Sequence, residues 1–325
     1  MTKPENCFDE FCERRLGRIH GVHTEVINLD ASFLEVAGKF AHLPGTVALV
    51  SGSDLDCARY SLLAVFPWMT LSGAGRTLTL QAGEEAFPVE ENPFDVVRRL
   101  LTHCRLPSSA GSLPVAAGLF GYFSYDLKDQ LEKLPRTSMD DLGLPQIWLS
   151  APGALLVHDR RDGVRRLCIP RREGVDVGQV RKDFFSILES AAAGHSTGTS
   201  FSGERSGFRK SNFTREGYMD AVETVRDYIA RGHVYQVNLS QRYQAPFTGD
   251  PWAFFRDLFE RNPAPFFAYI QAGDHQILST SPERFLQQRG RHVETRPIKG
   301  TAPRGKTPDE DAKLRGELVR SRKDD

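Results

Sequence analysis

This chain lacks an excess of either charge. Lysine plus arginine and aspartate plus glutamate number 42 each, so nothing draws it electrostatically toward nucleic acid or anionic lipid, and a small-molecule ligand is the expectation. It also lacks any run of about 18 apolar residues, which excludes a membrane-spanning helix. The longest apolar stretches, "LPGTVALV" and "YSLLAVFPWM", have the length of core strands. Its five cysteines (7, 12, 57, 104 and 168) are scattered, with no C-x-x-C pair and no His/Cys cluster. That excludes a zinc site and a disulfide framework, and reads as reduced thiols in a cytoplasmic protein. The opening "MTKPENCFDEFCERRLGRIHG" carries acids and no apolar core, so it does not read as a secretory signal.

What is present is ordinary for a globular protein: 325 residues, 40% hydrophobic and 26% charged. From about Ile19 to Ile169, short strand-like runs alternate with Gly, Pro, Asp and Asn turns. "GALLVHDRRDGVRRLCIPR" has a hairpin pattern about Asp162-Gly163. "NPFDVVRRLLTHC" predicts a helix with Phe94, Val97, Leu100 and Leu101 on one face, and "VRKDFFSILESAA" a second. The chain divides on this reading into an amino-terminal region 1–190, a Gly/Ser/Thr-rich linker or surface loop 191–210, and a region 211–325.

The last region opens on a helix capped by Thr214, with Tyr218, Ala221, Val222, Val225 and Ile229 as its stripe and Gly232 as its stop. "VYQVNLSQRY" alternates with period two and predicts a strand whose polar face, Gln236 included, either meets solvent or lines a cleft. "HQILSTSPERFLQQRGRHVETRPIKGT" predicts two strands folded near Gly290, with opposed residue numbers summing to about 580. That register puts Glu283 within a residue or two of Lys299, as a salt bridge or a reacting pair. Beyond it, Thr307, Pro308 and Glu310 form a capping-box start to a helix, while Asp324-Asp325 oppose the dipole at its far end.

Two lysines compete for the chemistry of "ETRPIKGTAPRGKT". "GTAPRGKT" fits the phosphate-loop pattern G-x-x-x-x-G-K-[ST], with Lys306 as its lysine. Such a loop must follow a buried parallel strand, and "HVETRPI" is polar and carries a proline, so the match reads as chance. Lys299 stands between Pro-Ile and Gly-Thr, where the glycine permits close approach of a ligand and Thr301 offers a hydroxyl and an N–H. On its own, though, a lysine is more often a solvated surface charge.

The motifs "YQVNLSQRY" (235–243), "LSTSPERFL" (278–286) and "ETRPIKGTAPR" (294–304), in that order, resemble the chorismate-utilising enzymes. "SGSDLDCARYSLLAVFP", "GLFGYFSYDL" and "NPAPFFAYI" resemble the amino-terminal and pocket segments of the same family. The resemblance implies an α+β fold, antiparallel β-sheets in a sandwich with helices outside. It implies that Lys299 is a nucleophile and Glu283 a general acid, with Gly300, Thr301 and Gln236 at the substrate. It further implies magnesium as cofactor and a glutamine amidotransferase subunit as partner. Isochorismate- and salicylate-forming relatives carry a lysine where this chain has Gln236, and anthranilate-forming ones an alanine where it has Lys299. The pair therefore points to the branch that makes aminodeoxychorismate, with anthranilate formation or a non-catalytic remnant as the alternatives. Ser51, Pro263 and Phe266 fall where relatives build a tryptophan pocket. The resemblance also places the magnesium-binding glutamates, a catalytic histidine and a glycine-rich carboxylate site beyond Asp325. The chain is accordingly expected to be truncated, with no metal site of its own, inactive and poorly stable alone.

Overall fold

The computed structural model describes residues 4–106, 113–135, 139–190 and 210–320. The chain divides into two compact units, Met1–Gly194 with Leu258–Asp325, and His195–Asp257. The first unit begins α1 (Pro4–Arg15), β1 (Ile19–Ile27), α2 (Phe33–Phe40), β2 (Val47–Val50), β3 (Tyr60–Ala74), β4 (Thr77–Ala82), β5 (Glu85–Glu90) and α3 (Pro93–His103). It continues with β6 (Phe120–Phe123), β7 (Ile147–Asp159), β8 (Val164–Arg172) and α4 (Val177–Glu189). The second unit holds β9 (Lys210–Ser211), α5 (Arg215–Ala230) and β10 (Tyr243–Gln244). Helix α6 (Pro251–Arg261) leads back to the first unit, which ends with β11 (Phe266–Gln271), β12 (Gln276–Ser281), β13 (Arg284–Arg289), β14 (His292–Arg296) and α7 (Pro308–Val319). Of the predicted linker 191–210 only Lys210 lies among the described residues, and Asp324-Asp325 lie outside them.

The α+β, antiparallel reading holds. Ten strands form one sheet in the order β1-β8-β7-β3-β2-β11-β12, with β4 and β5 extending β3 and β6 laid on β7. The predicted hairpin is the β7–β8 pair, turned at Gly163 with φ +69°. Strand β7 is almost wholly buried because it has neighbours on both sides and apolar side chains on both faces. The sheet is completed late: β11 pairs with β2, and β12 with β11.

Helices cover the sheet by their own patterns. Ser32 and Glu35 close a full capping box on α2, which then buries Phe33, Val36, Ala37 and Phe40 at helical spacing. Phe40 stacks on Phe184 of α4 at 4.9 Å and meets the edge of Phe66 at 5.9 Å. Phe66 has φ +57°, just before β3 changes register on β7 between Pro67 and Met69. A phenylalanine rests in that left-handed conformation only where packing holds it.

Three details differ from the sequence reading. Helix α3 buries Pro93, Val96 and Leu100, while Leu101 is half exposed, so its inner face is turned about one residue from the predicted one. The stretch Tyr235–Arg242 is not a strand: Tyr235 is 91% exposed, and only Tyr243–Gln244 pairs, with Lys210–Ser211. Alternation records polarity but supplies no partner for the backbone, and without a partner there is no ladder. Finally, residues 276–289 are two strands, since Pro282-Glu283 separates β12 from β13. Proline cannot donate to a ladder, and the chain changes sheet there. Helix α5 keeps its predicted start, with Thr214 accepting from the Gly217 N–H. Its stripe Tyr218, Ala221, Val222 and Val225 is half-buried, with Ile229 more exposed.

Candidate functional site

Two of the sequence-derived clusters assemble within the first unit. In the first, Ser51 at the end of β2 is buried, with its hydroxyl 2.7 Å from the Tyr60 carbonyl and 3.1 Å from that of Pro265. Its backbone N–H donates to Ser61 Oγ. The Gly52 N–H donates to the Ala264 carbonyl at 2.9 Å. A Cβ on Gly52 would lie 2.7 Å from Pro263, so only glycine allows the two backbones this close. Ser51, Pro263 and Phe266, predicted from segments far apart in sequence, are therefore neighbours. The hydroxyl is engaged by two carbonyls, which makes Ser51 first a clasp between the segments.

Arginines fasten the loop that follows, residues 51–58. Arg59 grips the buried carboxylate of Asp159 through Nε at 3.0 and 3.1 Å and Nη2 at 2.6 Å, and the Arg161 N–H adds a bond to the same group. The Arg59 contact, reinforced by that N–H, holds the Asp159 carboxyl below the usual carboxylate range. Arg160 donates to the carbonyls of Ser53 and Ala58. A carboxyl with a depressed folded-state pKa stabilises above its unfolded value of about 3.9 and loses that contribution as pH falls through the lowered value. Asp159→Asn is therefore expected to lower the urea midpoint at pH 7, with the gap from the parent narrowing below about pH 4. A gap that stays constant from pH 7 to pH 3 would show that the charge is not what matters.

The second cluster is the β13–β14 hairpin. Its register opposes Arg284 to Arg296 and then shifts to oppose Gln287 to Glu294, and it turns at Gly290 with φ +59°. These pairings sum to 580 and 581, the predicted register. Glu283 immediately precedes β13 and Lys299 follows β14 by three residues, so both stand at the open end of one hairpin, and both are exposed. Glu283 is held by its backbone: its N–H donates to Ser281 Oγ, which also contacts its carbonyl. Gly300 and Thr301 continue from Lys299 in the irregular stretch 297–306.

Sequence reasoning missed the residues that anchor this hairpin. Two arginines opposed across a ladder repel each other. Glu294, on the face of Arg296, pairs with Arg284 and accepts from Arg296 at 3.1 Å. Arg296 also donates through Nη1 to both oxygens of Asp56, at 2.7 and 2.8 Å, and Arg284 reaches the Cys57 carbonyl at 3.5 Å. The Arg296 contact lowers the pKa of Asp56, although that side chain is open to solvent. The loop that begins at Ser51 is thus tied directly to the hairpin that carries Glu283 and Lys299. The legible signal was the acid set among opposed arginines.

The phosphate-loop match is answered by its own helix. Asp311 of α7 accepts from the Gly305 N–H at 2.9 Å and pairs with Arg304 through both oxygens, and Glu310 accepts from the Lys306 N–H at 2.7 Å. The donors that would cradle a phosphate are taken by carboxylates of the same chain, and no strand immediately precedes them. Asp311 is held down at about 2, chiefly by Arg304. Thr307 caps α7 as predicted, but Glu310 reaches back one residue past the cap rather than closing the box.

Gln236 lies in the other unit, where its amide donates to Asn238 Oδ1 at 3.2 Å. Among the described residues no three His, Cys, Asp or Glu side chains gather as a metal-binding group, and no helix is long and apolar enough to cross a membrane.

Comparison with known proteins gives this geometry its context. The family described as "chorismate binding enzyme" matches residues 59–325. Anthranilate synthase component 1 of Cereibacter sphaeroides is 34% identical over 288 residues, covering 85% of this chain and 57% of that protein. Aminodeoxychorismate synthase component 1 of Klebsiella aerogenes is 35% identical over 268 residues, covering 82% of this chain and 56% of that protein. The chain thus spans somewhat more than half the length of these relatives. Among solved structures, anthranilate synthase component I from Streptococcus pneumoniae superposes with a TM-score of 0.67 at 23% identity, covering 83% of this chain and 59% of that one, which is a likeness of fold.

Proposed function

This chain belongs to the chorismate-binding enzyme family, and on that premise we propose that it serves the amination of chorismate at C4. The product is 4-amino-4-deoxychorismate, on the route to 4-aminobenzoate and folate, with ammonia from a glutamine amidotransferase subunit. Relatives named for this reaction and for anthranilate synthesis are almost equally similar, so overall identity does not choose between them. The observation that carries the choice is Lys299, an amine where the anthranilate-forming relatives carry alanine, at the same hairpin end as Glu283.

The chemistry follows from that placement. The Lys299 amine forms a bond to C2 of the ring while the C4–O bond breaks. Glu283 supplies the proton that lets the C4 oxygen leave as water, since hydroxide departs poorly. Ammonia then bonds to C4 and the lysine leaves from C2. The sum is chorismate plus ammonia giving the amino product plus water. The backbone around Gly300 and Thr301, next to the nucleophile, helps hold a substrate carboxylate. The described side chains do not by themselves form a magnesium site.

The test is the position of the amino group. The chain is joined to the part of the Klebsiella relative that it does not span and supplied with chorismate, magnesium and ammonium. A para-substituted product is expected; the ortho isomer would overturn the proposal in favour of anthranilate synthesis.

A further inference from the structure

A cavity of about 220 Å³ lies in the first unit, away from both clusters, between α3 and the sheet. Its wall includes Trp68, Leu101, Leu119 and Pro152, with Cys104 and Arg105 as its polar members. The wall is fixed rather than loose, for the Trp68 indole donates to the Pro152 carbonyl at 3.2 Å.

The second observation is electrostatic. The guanidinium of Arg172 lies 4.1 Å from the centre of the Trp68 ring, and Arg172 pairs across the ladder with Ile19, another wall residue. Burial pulls Arg172 down to about 10. Among the described residues no carboxylate pairs with it. A partly buried cation without a counter-charge is costly, and a ring face offsets only part of that cost. Arg105 is the guanidinium of the wall itself, and Arg172 adjoins that wall through Trp68 and Ile19.

We propose that this cavity binds a small apolar carboxylate, its hydrocarbon body against Trp68, Leu101 and Leu119 and its charge toward Arg172 and Arg105. The volume lies below the roughly 300–1,000 Å³ of drug-sized pockets, which limits the ligand to one ring or a short chain. The planar fork of a guanidinium matches a carboxylate. The site is separate from the chorismate reading and stands or falls without it.

Cys104 provides the readout, since it lies in the wall and is only partly buried. The full chain is treated with N-ethylmaleimide, and modification of Cys104 is followed by peptide mass mapping, with exposed Cys7 as internal control. Phenylacetate is expected to protect Cys104 saturably and leave Cys7 unprotected. Phenylacetamide, the same size without the charge, is expected to need at least about tenfold more. Inorganic phosphate, with no hydrocarbon body, is expected to protect poorly. Arg172→Gln should erase the preference for acid over amide, and Arg172→Lys should retain part of it. Equal protection by acid and amide, protection by phosphate as good as by phenylacetate, or none by either organic probe would each overturn the proposal. These comparisons on the unsubstituted chain decide the matter even if Arg172→Gln does not fold.

Discussion

Replacing Lys299 by alanine is expected to abolish a chorismate adduct and to lower amination at least about a thousandfold, the scale on which nucleophile removal acts in covalent catalysis. The adduct is read by intact mass spectrometry of the joined protein with chorismate and magnesium but no ammonia. The expected gain is the mass of chorismate less water, because an N–C2 bond replaces C4–O. Lys299→Arg should fail as well, because a guanidinium stays protonated and cannot attack. The neighbouring Lys306→Ala is the control: its backbone N–H already serves Glu310 and a side-chain change leaves that bond in place, so the adduct should persist. An undiminished adduct in the alanine variant at position 299 would remove the lysine from the mechanism and with it the reason for preferring amination at C4.

Phe40→Ala is expected to cost about 3–5 kcal/mol, the range for emptying a large aromatic site in a core. Phe40 is fully buried, stacked on Phe184 and set against Phe66. Its loss opens a void between α2 and α4 and frees the ring that helps hold Phe66 in its left-handed conformation. Against a total domain stability of about 5–15 kcal/mol, that is a fifth or more of what holds the unit together. Urea unfolding followed by tryptophan fluorescence measures it, and Phe40→Leu, which refills part of the space, should recover part of the loss. A midpoint that barely moves would mean that the neighbouring rings collapse into the gap.

Local chemistry made much of this fold legible. The Asp162-Gly163 turn, the Thr214 and Thr307 caps and the 580 register of the hairpin all rest on a few adjacent residues, and all are found. The capping box of α2 was equally readable in Ser32 and Glu35 but sits inside a stretch dominated by strand-like runs. Where a feature depends on partners distant in the chain, pattern was not enough. The Tyr235–Arg242 alternation had no strand to join, and the inner face of α3 is set by the sheet beneath it rather than by its own spacing. Glu283 and Lys299 could be placed at one end of a hairpin because hairpin geometry is arithmetic. Asp56 was not, because only the tertiary structure brings it to Arg296 across 240 residues.

The late pairing of β11 with β2 sets a clock on synthesis. Ser51, at the end of β2, waits for Pro265, which lies 214 residues further on. At about 5–20 residues per second, β2 leaves the ribosome roughly 10–40 s before the strand that covers it. For that interval "VALV" is an open, apolar sheet edge, the kind of surface on which nascent chains pair with one another. Yield in a cell should therefore depend on what shields that edge while the chain is still being made, as much as on the stability of the finished sheet.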